Sequence, residues 1–138
     1  MGYDIIGDIH GHARTLEALL ETLGYDLVEG VYRHPTRKVV FLGDFIDRGP
    51  SQRGVIRIVR PMIDGGHALA VMGNHEFNAI AYATPRAGGG FFREHNARNY
   101  QQHKIFLALI RESDARMFAK RHWPVAVECI RRIDDNCQ

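Results

Sequence analysis

The feature that most constrains the fold is a short apolar run over residues 38–42, followed at once by the segment GDFIDRGP over residues 43–50. The run has the length of a buried strand, and the glycine that follows lets the chain turn sharply, so that Asp44 emerges at the strand's C-terminal end. Two shorter segments, GDIHG over residues 7–11 and GNHE over residues 73–76, also follow apolar runs. The sequence therefore predicts three strands that each end in a polar loop.

Helices are predicted after each of these loops. Leucines at helical spacing follow the first strand, at Leu16, Leu19, Leu20 and Leu23. A second helix is expected after Ser51, a good N-cap residue, although Pro61 should kink it or end it early. A third strand over residues 67–72 leads into a third helix. The β-α-β-α-β-α order indicates a parallel sheet with right-handed crossovers.

The remaining segments are predicted in less detail. A short hairpin is expected over residues 26–33, and a glycine-rich loop over residues 84–90. Residues 91–123 are helical in tendency, with an apolar face that includes Ile105 and Phe106. We assign residues 1–123 to one domain portion and residues 124–138 to a short, polar C-terminal segment, disordered or rearranged.

Composition excludes few classes of function. With 138 residues, 45% hydrophobic and 25% charged, the chain has the make-up of one ordinary globular domain. A net charge of +2 indicates neither a nucleic acid nor an acidic membrane as partner. The only cysteines, Cys129 and Cys137, suggest a reducing, cytoplasmic setting. No stretch approaches the ~20 apolar residues of a membrane helix, and no signal peptide is evident.

The three polar loops carry groups that bind divalent cations. Asp8 and His10 are two residues apart, a spacing that in an extended segment lets both side chains grip one cation. Asp44 can bridge two cations through its two oxygens, and Asn74 can offer a carbonyl oxygen. Mixed imidazole, carboxylate and amide ligands suit manganese, iron or zinc better than calcium. The ordinary alternative is that these residues only form turns and helix caps.

Three further residues suit phosphate chemistry. Arg48 offers a planar fork for phosphate oxygens, or it serves only as a structural ion-pair partner of Asp47. His75 diverges from its neighbour Asn74 and can donate a proton to a leaving group, oriented by Asp47. A two-metal centre that activates water beside these groups indicates a phosphoester hydrolase.

The segments GDIHG, GDFIDRG and GNHE, in this order, resemble the three N-terminal signatures of the calcineurin-like metallophosphoesterases. The GDxxDRG form resembles the phosphoprotein-phosphatase branch, which includes serine/threonine phosphatases and symmetrical diadenosine tetraphosphatases. The resemblance covers residues 3 to about 120, an N-terminal portion of such proteins. It implies an α/β sandwich of β-α-β-α-β type that is incomplete at the C-terminus.

The resemblance also implies a role for each matching residue. Asp8 and His10 would bind the first metal, Asp44 would bridge, and Asn74 would bind the second metal. The substrate phosphate would meet Arg48, Asn74 and His75. His75, paired with Asp47, would be the general acid.

The sequence departs from the family pattern after its helical region. Family members supply further histidines to the second metal there, whereas no histidine follows His122. His95, His103 and His122 lie in the predicted helical stretch rather than at strand ends, the first two on solvated faces, and are not expected to replace them. The first metal site, with manganese the preferred ion, is therefore expected to fill more readily than the second.

Two hypotheses follow from this departure. One is a hydrolase of phosphomonoesters or nucleotide phosphoanhydrides, acting on a phosphorylated substrate or nucleotide. The other is a catalytically weak fragment that binds metal and phosphate. In either case, apolar surface left without its cover could drive formation of a homodimer.

Overall fold

The computed structural model describes residues 1–111, which fall into two compact units, one of Met1–Ile80 and one beginning at Ala81. In chain order the elements are β1 (Gly2–Ile6), α1 (Ala13–Thr22), β2 (Asp26–Val28), β3 (Val31–Arg33), β4 (Arg37–Phe41), α2 (Gln52–Asp64), β5 (Ala68–Ala70), α3 (Asn74–Ala83) and α4 (Ala97–Arg111). The predictions for His122, for the two cysteines and for residues 124–138 lie outside the described residues.

The first unit is built on a parallel three-stranded sheet. Its strand order is β1-β4-β5, and one register row joins Ile5, Val40 and Leu69. Because the strands are parallel, their three C-terminal ends lie at one edge of the sheet, where α/β proteins gather their ligands. The predicted α/β class with a parallel sheet is confirmed.

One face of this sheet carries the core. Side chains alternate across a strand, so Ile6, Val39 and Phe41 point to the same face, and each is buried. Helices α1 and α2 pack together and contribute Leu20 and Met62, both fully buried. Burial of each such side chain contributes about 1.5–3 kcal/mol, which explains why these short elements hold together.

The opposite face of the sheet is apolar and exposed. Ile5 is 70% exposed, and Leu69 and Val71 are each 54% exposed. Parallel sheets are ordinarily covered on both faces. This face of β1, β4 and β5 is therefore a surface suited to packing against another apolar surface.

A buried polar contact ties the start of the sheet to the end of α1. The hydroxyl of Tyr25 donates to Oδ2 of Asp4 at 2.9 Å, and Arg37 forms an ion pair with the same carboxylate. Burial, followed by the Asp4 carboxylate, raises the pKa of Tyr25 from 10.0 to about 12. The phenol therefore stays protonated, and it keeps donating, up to strongly alkaline pH.

Several local predictions need correction. Of the two predicted effects of Pro61, a kink or an early end, the early end is wrong, because α2 runs on to Asp64. Proline removes only its own N–H, so the residues after it can still donate to the preceding turn. Ser51 occupies the N-cap position, but its side chain makes no capping hydrogen bond. Leu19 is exposed, and β5 is shorter than predicted. The hairpin is confirmed as β2 paired with β3.

The second unit contains the glycine-rich loop and α4. Pro85 and Phe91 form a β-bridge across the loop, and α4 begins only at Ala97. Both histidines were predicted on solvated helix faces, but His95 is exposed outside a helix and His103 is not exposed. His95 precedes α4 and stacks on the ring of Tyr82, whereas His103 lies on α4 and is fully buried. Over residues 1–111, no helix combines the length and apolar character required to cross a membrane.

Candidate functional site

The first polar loop (residues 7–11) is fixed to the second (residues 43–50) by backbone hydrogen bonds. The N–H of His10 donates to the carbonyl of Asp44 at 2.7 Å, and the N–H of Gly11 donates to that of Phe45 at 2.9 Å. In return, the N–H of Gly49 donates to the carbonyl of His10 at 2.8 Å. These bonds depend on the backbone alone, so they hold the two loops side by side whatever their side chains bind.

Close backbone contacts bring the third loop to the second. A Cβ atom added at Gly43 would overlap the backbone nitrogen of Gly73 and would lie 2.6 Å from its Cα atom. Gly43 also has a φ of +81°, which side chains other than glycine rarely adopt. The ends of β4 and β5 can therefore approach only because both positions are glycine.

These loops gather a three-residue group able to hold a metal ion. Asp8, His10 and Asp44 each offer one ligand atom, and the three atoms lie within 4.8 Å of one another. Nδ1 of His10 is 2.9 Å from the carbonyl oxygen of Ile46, which can only accept, so Nδ1 carries the proton. Nε2 then keeps a lone pair, 3.6 Å from the Asp8 carboxylate. This donor set of one imidazole and two carboxylates fits a divalent cation.

Asp44 links this group to the third loop. Its Oδ1 accepts a hydrogen bond from the backbone N–H of His75 at 2.9 Å. Asn74, the predicted ligand of a second metal, is exposed and is the first residue of α3. Asn74 and His75 thus begin the helix that Asp44 contacts.

The predicted proton donor is held by the predicted carboxylate. Nδ1 of His75 lies 2.8 Å from Oδ2 of Asp47, and both side chains are buried. The rings of His75 and His10 meet edge to face, with centroids 4.5 Å apart. The structure therefore places the His75–Asp47 pair directly beside the three-residue metal group.

Arg48 follows Asp47 in the same loop and is exposed. Among residues 1–111, it forms no ion pair with Asp47, so the structural alternative considered for it has no support there. An exposed guanidinium in the loop that also carries Asp44 and Asp47 is available to a phosphate from solution.

Many site residues have a left-handed backbone. Asp8, His10, Asp44, Asp47 and Arg48 have φ values between +41° and +67°. Each such residue costs about 1–3 kcal/mol and persists only where its surroundings enforce it. Strain of this kind clusters at functional sites, and five of the six non-glycine residues with positive φ among residues 1–111 belong to this candidate site.

Glu76 is the residue that the sequence reasoning missed. It appears in GNHE, but spacing gave it no ligand role, and the structure shows its carboxylate accepting hydrogen bonds from the backbone of the second and third loops. The only signal in the sequence was a carboxylate in the first turn of a helix, which helix electrostatics alone would explain.

Comparison with known proteins places these residues in context. The chain is 45% identical over 76 residues to an asymmetrical bis(5'-nucleosyl)-tetraphosphatase of Oceanobacillus iheyensis, and 46% identical over 76 residues to that of Bacillus subtilis. The enzyme of Geobacillus thermodenitrificans is 49% identical over 76 residues. Each match covers 54% of this chain but only 30–31% of the relative. The chain thus spans under a third of these relatives.

The chain is also similar to a solved structure and to a protein family as a whole. A crystal structure provisionally assigned as a diadenosine tetraphosphatase has 33% sequence identity and a TM-score of 0.41, over 54% of this chain and 29% of the other. The model of the calcineurin-like phosphoesterases matches residues 1–131. The chain therefore belongs to the calcineurin-like phosphoesterase family.

Proposed function

We propose that this chain carries the metal- and phosphate-handling part of a metal-dependent phosphoester hydrolase that acts on dinucleoside polyphosphates. The observation that carries the proposal is the placement of the Asp8, His10 and Asp44 group beside the His75–Asp47 pair. A metal group alone would suit many functions. A buried, carboxylate-held imidazole next to it is the arrangement that a hydrolase needs for proton transfer.

The metal would be held by Asp8, His10 and Asp44, with Asn74 offering an oxygen to a second ion. Manganese is our preferred ion, with iron and zinc as alternatives, because the ligands mix imidazole with oxygen donors. When bound, such ions supply an activated water as nucleophile and neutralise charge on the phosphate.

The other residues would act on the substrate itself. Arg48 and Asn74 would hold oxygens of the phosphate under attack. Nε2 of His75 would give its proton to the leaving oxygen as the bond between phosphorus and that oxygen breaks. Asp47, accepting from Nδ1–H, would orient the His75 ring and stabilise the doubly protonated ring from which Nε2 gives its proton.

The nucleotide substrate is suggested by the relatives. They are named as asymmetrical tetraphosphatases, and the branch that the sequence motifs resemble includes symmetrical diadenosine tetraphosphatases as well as serine/threonine phosphatases. We propose the dinucleoside polyphosphate class, with the position of cleavage read from the products.

The competing proposal is a catalytically weak metal- and phosphate-binding fragment. It rests on the ligand count from the sequence, in which Asp44 and Asn74 alone serve the second metal. Water would then complete that site, and such a site binds metal poorly.

Hydrolysis of diadenosine tetraphosphate with Mn²⁺ separates the two proposals. We expect turnover well above a metal blank, lost in Asp44→Asn and His75→Ala and kept in His67→Ala. His67 is a suitable control because it precedes β5, at the opposite end of that strand from the site. Tight binding of Mn²⁺ without any turnover would favour the fragment.

We also propose that the exposed sheet face pairs with a second copy of the chain, in a cytoplasmic setting. Ile5 and Leu69 flank Val40 in one register row, so a matching apolar surface would bury all three. Sedimentation of wild type and of Ile5→Lys tests this, since a charge in that row should shift a dimer to monomer. A wild-type monomer at all concentrations would contradict it.

A further inference from the structure

Glu76 makes an unusual set of contacts for a half-buried carboxylate. Its Oε2 accepts the backbone N–H groups of Asp44 at 2.7 Å and Gly73 at 3.0 Å. Its Oε1 accepts those of Phe45 at 2.8 Å and Ile46 at 3.3 Å. Both oxygens thus accept hydrogen bonds from backbone donors of the second and third loops.

These contacts lead directly to the metal group. The carbonyl of Asp44 accepts the N–H of His10, and the carbonyl of Ile46 accepts its Nδ1–H. Glu76 holds the N–H of Phe45, which shares a peptide unit with the Asp44 carbonyl, and the N–H of Ile46, whose own carbonyl meets the His10 ring. Glu76 therefore supports the turn that carries the Asp44 carboxylate and to which His10 is bonded. Neither bond could keep its direction if the turn from Asp44 to Ile46 relaxed.

The turn requires such support because of its conformation. Asp44 has a φ of +54°, which a residue with a side chain keeps only when its surroundings enforce it. Three consecutive N–H groups, from Asp44 to Ile46, point at one carboxylate. An ionised carboxylate accepts at both oxygens, so it can satisfy them all at once.

We propose that Glu76 is the positioning residue of the metal site, setting the affinity of Asp8, His10 and Asp44 for a divalent cation without binding it. The proposal rests on the proposed function for its metal site, but not on catalysis. Groups that orient metal ligands typically change metal affinity 10–100-fold when they are replaced.

The test compares Glu76→Gln with wild type. Glutamine keeps the size of the side chain, but its NH₂ group would face two backbone N–H groups and cannot accept hydrogen bonds from them. In metal-free protein, we expect hydrogen exchange to accelerate at least ~10-fold at one or more of the backbone amides that Glu76 accepts, those of Asp44, Phe45, Ile46 and Gly73. Mn²⁺ affinity, measured by calorimetry, should fall about 10–100-fold.

Glu29→Gln is the matched control. Glu29 is exposed in the β2–β3 turn, and within residues 1–111 its side chain meets only Arg33, at 3.5 Å, so this variant should leave loop exchange and Mn²⁺ affinity unchanged. If Glu76→Gln does not fold, Glu76→Asp keeps the charge but shortens the reach, and should show the same changes more weakly.

The possible results separate this proposal from the hydrolase. Loop exchange and Mn²⁺ affinity that stay at wild-type values in Glu76→Gln would overturn the positioning role, as would absence of Mn²⁺ binding to wild type. A wild-type chain that binds Mn²⁺ in a Glu76-dependent manner, yet hydrolyses nothing, would support the positioning role and contradict the proposed function.

Discussion

Nδ1 of His75 donates to Oδ2 of Asp47 across 2.8 Å, and the Asp47 side chain is fully buried. The bond leaves Nε2 as the one ring nitrogen that can exchange a proton with a substrate. It also joins two loops that are 28 residues apart in the sequence. The orientation of the proposed acid is thus set by a residue of the second loop.

The His75–Asp47 pair predicts that the effect of a substitution on kcat depends on the leaving group of the substrate. Asp47→Asn should lower kcat by about 10²-fold, within the range of general acid catalysis, while Mn²⁺ affinity changes little. The loss should be largest for alkyl phosphates and smallest for nitrophenyl phosphate, whose leaving group needs no proton. Steady-state kinetics on both substrates checks this. The double variant Asp47→Asn/His75→Ala should lose little more kcat than His75→Ala alone. Equal losses of kcat on both substrates in Asp47→Asn would contradict the proposed role of the pair in protonating the leaving group.

The left-handed backbone predicts that an exposed side chain matters for stability. Asp8 has a φ of +51°, its side chain is 86% exposed, and its contact with His10 is 3.6 Å long. Asn tolerates this conformation, whereas Ala there costs ~1–2 kcal/mol. Urea unfolding of metal-free protein should therefore find Asp8→Ala less stable than Asp8→Asn by this amount. Equal stability of the two variants would show that the position is not strained.

Two glycines allow the cost of a left-handed backbone to be measured separately from the cost of steric overlap. Gly43 and Gly30 have nearly the same φ, +81° and +80°, but only Gly43 has backbone atoms where a Cβ would lie. Gly30→Ala should cost about 1–2 kcal/mol for its conformation alone. Gly43→Ala should cost clearly more and should weaken Mn²⁺ binding. Unfolding in urea, with and without Mn²⁺, measures both effects. Equal losses of stability in Gly30→Ala and Gly43→Ala would contradict the close packing of Gly43 on Gly73.

The buried phenol predicts a loss of stability at alkaline pH. Since the folded state raises the pKa of Tyr25 from 10.0 to about 12, it favours the protonated form. That contribution is complete below pH 10 and is lost as the pH rises to about 12. Tyr25→Phe should unfold more easily at neutral pH, because Asp4 loses a hydrogen bond worth about 1.5–3 kcal/mol.

The same variant should also depend less on pH in this range. Burial also raises the pKa of Tyr32, so some dependence should remain in Tyr25→Phe. Tyr3→Phe is the control, because Tyr3 is 56% exposed. Denaturation at several pH values checks the prediction, and wild type and Tyr25→Phe losing stability in parallel would contradict it.

Sequence predicted the order of the elements because apolar periodicity and glycine punctuation act locally. The run that became β1 ended at Ile6 as predicted, β4 ended one residue early at Phe41, and the polar loops followed. Pro61 and Leu19 were misjudged because their effect depends on where the helix ends and what packs against it. Neither can be read from spacing.

The candidate site was predictable as a set of residue types, but its geometry was not. Asp8, His10 and Asp44 come together through backbone bonds between loops, which leave no trace in residue type. Glu76 could not be found for a related reason. Its partners are peptide N–H groups that every residue except proline possesses, so only their direction in space reveals its role.

The backbone bonds between the first two loops bear on transplanting the site to another protein. Because His10 and Gly11 bond to peptide groups of the second loop, a graft of the three metal-binding side chains alone would arrive without the frame that aims them. The smallest portable piece would carry residues 7–11 and 43–49 together with the Gly73–Glu76 turn. A design that places this chemistry in a new scaffold should therefore reproduce the backbone geometry of these loops first and add the metal-binding side chains afterwards.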